Sequence, residues 1–439
     1  MRGTGFRRRT KGDYFVENIF EQYESEVRSY CRHYPVVFEY AKGEFLRDES
    51  GRSYIDFFCG AGAVNYGHNN PYIKEKLLNY LSEDRILHSL DMYTTAKRDF
   101  IDYFEAKILR PRGLNYKLQF PAPTGTNAVE AALKLARKVT GRPGVFALMG
   151  AFHGMTLGAL SLTTDAESRA AAGVALTDVT HIPAPYMFPE LDTIAYLETI
   201  LTDDHSGIAK PAAFILESVQ ADGGVYPLDE EWLRQLRALC DRHGILLIVD
   251  DIQVGSARTG WFFSFERAGI VPDIVTLSKS IGGYGLPFSV VMLKPELDVW
   301  APGEHTGTFR GNQLAFVAAK AGLEFMLENH IEDETKRKGE IVRKFLTEEI
   351  QPMDSRLAVR GIGLLWGIDF NGMPDPSVSA KMVAECFRNG LIAERAGRGN
   401  NVLKIMPPLV IEDEYLYEGL EILKKSLQTV LSQQPASAK

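Results

Sequence analysis

Five short apolar runs, "VFALM", "AAFIL", "ILLIV", "DIVTL" and "FSVVML", recur through the middle of the chain, and each is continuous rather than alternating. A strand with one wet face alternates polar and apolar residues; a strand covered on both faces does not. Amphipathic stretches separate the runs. In "TNAVEAALKLARKV", Val129, Ala132, Leu133 and Ala136 share one helical face, and "EEWLRQLRALCDRHG" ends on Gly244, a helix stop. Such alternation predicts parallel strands joined by crossover helices, an α/β fold. One sheet does not use up 439 residues. Upstream, "GEFLRDESGRSYIDF" predicts a small β-ribbon turning at Gly43 and at "DESG". Downstream of a long helix around "LAFVAAKAGLEFMLEN", helix and strand patterns resume. The expected division is 1–64 as the N-terminal segment of a small domain, 65–325 as a large domain, and 326–439 as the C-terminal part of the small α+β domain.

Composition narrows the function classes. The net charge of −8 argues against nucleic acid or an anionic membrane as the main partner. No apolar stretch approaches the roughly 18 residues of a membrane span. The basic start "MRGTGFRRRTKG" lacks an apolar region after it, so no signal peptide is expected. Cys31, Cys59, Cys240 and Cys386 are scattered, as in a reduced, cytoplasmic protein. The histidines form no HxxH or HExxH pattern, so no metal site is expected.

Open parallel sheets bind ligands beyond the carboxyl ends of their strands. There, "VFALM" leads to Phe152 and His153, "AAFIL" to Glu217, "ILLIV" to Asp250, Asp251 and Gln253, and "DIVTL" to Lys279. Singly, each has an ordinary reading: Asp250 as a cap, Phe152 as core, Lys279 as a surface charge. The "PTGTN" loop could be only an N-cap with Thr126 or Asn127 capping, yet a helix N-terminus also binds anions. An aromatic ring, carboxylates, a lysine and a phosphate cradle together match the needs of pyridoxal 5'-phosphate. Its aldehyde takes a lysine, its pyridine nitrogen a carboxylate, its ring a stacking partner. The glycines after Lys279, in "SKSIGGYGLP", would let backbone pass close to that ligand.

The segments "GHNNP", "PTGTNAVEAALKLAR", "FHGMT", "ILESVQADGG", "LLIVDDIQVGSARTG", "SKS", "HTGTFRGN", "RGIGLLWGIDF" and "PPLVIEDE" carry a resemblance over nearly the whole chain. The chain resembles the class III, fold-type-I pyridoxal-phosphate aminotransferases. That resemblance implies Lys279 as the cofactor lysine and Asp250 at the pyridine nitrogen. It implies Phe152 and Ile252 on the two ring faces, Gln253 near the phenolic oxygen, and Gly125 and Thr126 at the phosphate. His153 and Glu217 would also border the cofactor, Glu217 touching substrate as well. Thr308 would serve the neighbouring subunit's phosphate, so a homodimer or dimer of dimers is implied. Asn65, Tyr66, Arg310 and Lys404 would contact substrate, with Lys404 standing where many members have a carboxylate-binding arginine. Within the family the resemblance is strongest to the ectoine-pathway type, which passes an amino group from glutamate to aspartate 4-semialdehyde. A transaminase for another ω-amine, serving a siderophore or antibiotic pathway, is the alternative in chemistry. A catalytically silent interaction protein is the alternative of another class.

Overall fold

In the computed structural model, residues 18–433 are described. The basic start and the signal-peptide expectation lie outside them. The seven strands of the main sheet are β1 (Lys117–Gln119), β2 (Val145–Leu148), β3 (Val179–Ile182), β4 (Ala213–Leu216), β5 (Leu246–Asp250), β6 (Ile274–Leu277) and β7 (Val290–Leu293), in the spatial order β1-β7-β6-β5-β4-β2-β3. Pairing is parallel from β6 through β5, β4 and β2 to β3. The sheet is mostly parallel, as expected; the exception is β7, which runs antiparallel to both β6 and β1. A strand buried on both faces reads as apolar whichever way it runs, so its composition carries no direction. β2, β4, β6 and β7 are buried throughout.

Helix α1 (Gly125–Thr140) buries Val129, Ala132, Leu133 and Ala136, the face expected from their spacing. Helix α2 (Glu230–His243) stops at Gly244, whose φ of 58° is left-handed. Helix α3 (Gln313–Glu328) is the long one predicted after the sheet. The N-terminal ribbon forms as expected, with Phe38–Lys42, Phe45–Asp48 and Ser53–Asp56 antiparallel in turn. Its last strand also pairs in parallel with Leu391–Ile392, so the two ends of the chain share a sheet. A second sheet joins Ala358–Ile362, Leu365–Asp369, Val402–Ile405 and Glu394–Ala396. No helix of the described residues is long and apolar enough to cross a membrane.

Candidate active site

The loops after β2, β4, β5 and β6 meet the N-terminus of α1. That helix is capped two residues before Thr126, the earlier of the two expected caps. Thr124 is the N-cap, and Asn127 reaches back to it, its Oδ1 accepting from the Thr124 hydroxyl at 2.6 Å. Capping by Thr124 leaves Gly125 and Thr126 in the first turn, where N–H groups lack helical partners and favour an anion. Gly125 is required by proximity: a Cβ there would stand 2.9 Å from Ile252 Cδ1. Phe152, half-buried like Ile252, follows β2.

A buried polar chain lies behind these groups. His153 Nδ1 is 2.7 Å from Asp250 Oδ2, and because an ionised carboxylate only accepts, the ring donates. Asp250 Oδ1 accepts from the Ile252 N–H at 3.1 Å, so both oxygens are oriented. Burial works against a charged His153 ring, but the hydrogen bond and charge of Asp250 outweigh it and raise its pKa. His153 Nε2 is buried without a partner. Glu217 accepts from the Phe152 N–H at 3.0 Å, and burial, reinforced by Asp250 and opposed by His153, pushes its pKa up to about 8. Burial thus favours the protonated form of Glu217. Asp251, the neighbour of Asp250, is held away by Ser264, whose N–H donates to it at 2.9 Å.

Lys279 follows β6 with φ of 53°, a left-handed conformation that costs a residue with a side chain about 1–2 kcal/mol. Strain of that kind gathers at functional sites, where the surroundings impose it. Burial depresses its pKa; Lys404 adds to this, while Asp222 and the other nearby carboxylates oppose it. One of the glycines after it has a cause within the fold. A Cβ on Gly283 would fall 2.0 Å from the Ala318 carbonyl oxygen, so α3 requires that glycine.

Four expected substrate contacts are engaged elsewhere. Asn65 is buried, donating to the Ser256 carbonyl at 3.1 Å and accepting from the fully buried Arg258. Tyr66 packs into the core against Phe325 and Gly322 of α3. Arg310 is ion-paired with Asp91. Lys404 does not stand free at a site mouth: its side chain is 1% exposed, and Nζ lies 2.7 Å from both Asp222 Oδ1 and Glu394 Oε2. Gln253 donates to the Ala61 carbonyl at 2.8 Å. Thr308 is exposed beside Phe309. Asp222, Glu394 and Tyr30, which lies within electrostatic reach of Glu394, were not singled out from sequence. Asp222 follows Glu217 closely in "ESVQADGG", a strand-end cue; for Glu394 and Tyr30 no local signal exists.

The aminotransferase class-III family model matches residues 28–427. The chain belongs to the class III aminotransferases. It is 53% identical, over 94% of both chains, to a diaminobutyrate–2-oxoglutarate transaminase of Nocardia farcinica. It is 50% identical, over 96% of this chain and 97% of the relative, to one of Bordetella parapertussis. Among solved structures it is similar to an ornithine aminotransferase from Toxoplasma gondii (TM-score 0.82, 28% identity, covering 94% of this chain and 93% of that one). An acetylornithine aminotransferase from Elizabethkingia anophelis (TM-score 0.76, 28% identity) covers 94% of this chain and 98% of its own. The fold is that of the fold-type-I transferases, and the aminotransferase depends on pyridoxal 5'-phosphate. The residues fit that cofactor: a helix N-terminus opened by Gly125, a buried carboxylate braced by His153, and a strained lysine whose charge burial disfavours.

Proposed function

We propose that this aminotransferase moves the amino group of L-glutamate to L-aspartate 4-semialdehyde, giving L-2,4-diaminobutyrate and 2-oxoglutarate, as an ectoine-type pathway requires. The observation that carries the reading is the name shared by relatives 50–53% identical over at least 94% of the chain.

Pyridoxal phosphate supplies an aldehyde that accepts an amino group and a ring that absorbs electrons from the substrate carbon. Lys279 would hold that aldehyde and would supply the base that moves the proton at the substrate carbon. Its depressed pKa favours the free base such a step needs. Asp250, oriented by His153 and the Ile252 N–H, keeps the pyridine nitrogen protonated. Phe152 and Ile252 would cover the ring faces, Gly125 and Thr126 would bind the phosphate, and Gln253 and Glu217 would border the cofactor. Thr308 serves the other subunit of a homodimer. An apolar row of exposed residues, Ile86, Leu87, Leu90, Met92 and Tyr93, supports that assembly. The sheet shared by Ser53–Asp56 and Leu391–Ile392 supports the division into 1–64, 65–325 and 326–439. A cytoplasmic location goes with this chemistry.

A second reading, transamination of another terminal amine, draws on the ornithine and acetylornithine aminotransferases of similar fold. Purified protein given L-glutamate and aspartate 4-semialdehyde should form 2,4-diaminobutyrate, identified by mass. Faster turnover of ornithine or 4-aminobutyrate than of 2,4-diaminobutyrate, with 2-oxoglutarate as acceptor, would sink the assignment.

A further inference from the structure

Beside Lys279 lies a charge cluster that does not balance. Lys404 Nζ stands 2.7 Å from Asp222 Oδ1 and 2.7 Å from Glu394 Oε2, one ammonium between two carboxylates. The two contacts differ in quality. The one to Asp222 is a hydrogen bond, whereas Glu394 Oε2, though buried, lies outside hydrogen-bonding angles to any donor. Lys404 itself is sealed at 1% side-chain exposure, while Asp222 at 35% and Glu394 at 13% keep some access to solvent. Tyr30, from the N-terminal segment, lies within electrostatic reach of Glu394 and packs its ring 5.1 Å from that of Phe58. Lys279 is the other cation within reach, and burial disfavours its charge. A buried carboxylate oxygen without a hydrogen-bond donor, as Glu394 Oε2 is, favours a cation beside it.

We propose that Glu394, held beside Lys404, is a specificity residue that binds the non-reacting ammonium of a diamino-acid substrate. The inference rests on the reaction proposed above and names how that site recognises its substrate. In 2,4-diaminobutyrate the 4-amine reacts, and the α-carbon carries both an ammonium and a carboxylate. Glu394 takes the ammonium, while Lys404 stays sealed behind it, held by Asp222. 4-Aminobutyrate has the same chain length and carboxylate but no α-ammonium. It leaves the surplus charge of the cluster uncompensated and is disfavoured.

The test compares kcat/KM for 2,4-diaminobutyrate and for 4-aminobutyrate, with 2-oxoglutarate as acceptor, in the wild-type holoenzyme and in Glu394→Gln. The amide keeps the size of the side chain and leaves Lys404 and Asp222 as a balanced pair, so folding is not at stake. The preference for 2,4-diaminobutyrate should fall by at least about tenfold in the variant, mainly through KM. A wild-type enzyme that prefers 2,4-diaminobutyrate and a Glu394→Gln enzyme within about twofold of the same ratio would overturn the role of Glu394 alone. A wild type that prefers 4-aminobutyrate would overturn the reaction on which the role depends.

Discussion

Replacing Lys404 by Met removes the only cation between Asp222 and Glu394 in a position with 1% side-chain exposure. Removing one partner of a buried ion pair costs about 3–5 kcal/mol, because the charge left behind is neither paired nor hydrated. Asp222 is 35% exposed and regains water, so its share is heavily screened. The loss then falls mainly on Glu394, and about 3 kcal/mol is the expected size. Unfolding entropies of roughly 2 cal/mol/K per residue turn this into a drop in Tm of about 3 °C for a chain of this length. The pH dependence has a definite sign. Burial already raises the pKa of Glu394, against the pull of Lys404. Without Lys404 it rises further above its unfolded value. The folded variant then binds a proton more tightly than the unfolded one, so the penalty is full at high pH and shrinks as pH falls and Glu394 is protonated. Calorimetry of wild type, Lys404→Met and Lys404→Met/Glu394→Gln at one protein concentration checks this at pH 8 and pH 5.5. The double variant should recover most of the lost Tm. A single variant within about 1 °C of wild type at pH 8, or a penalty that grows on acidification, would refute the buried-cluster reasoning.

Asp250→Asn should still bind cofactor but transaminate at least about a hundredfold more slowly, because an amide does not hold a proton on the pyridine nitrogen. Wild-type turnover would move that role elsewhere, although Asp251 is occupied by Ser264. Mixing two inactive proteins, Lys279→Ala and a phosphate-blocking variant of Thr308, should restore part of the activity, since one site of a mixed dimer collects both intact residues. No recovery after proven subunit exchange would count against a shared site.

Much of the site was legible because it sits where sheet topology must put it. Phe152, His153, Glu217, Asp250 and Lys279 each follow an unbroken apolar run, and a covered strand that ends in a polar residue announces an edge. What escaped depends on partners far apart in sequence. Asn65 looked available for substrate, but its amide is taken by Arg258, 193 residues away. Lys404 looked like a free cation, but Asp222 lies 182 residues away and nothing near Lys404 foretells it. The demand for Gly283 was hidden for a related reason: the crowding that requires a glycine comes from Ala318 on α3. The reversal of β7 left no mark because the hydrophobic effect has no direction.

The central claim is that the cofactor is held at Lys279, at the end of β6. Reductive trapping tests it directly: holoenzyme is treated with borohydride, digested, and the peptide that gained a pyridoxyl-phosphate mass is sequenced. The account predicts that the label falls on Lys279 and is absent when the enzyme is first converted to its amine form with L-glutamate. A label on any other lysine, or one that L-glutamate does not prevent, would contradict it.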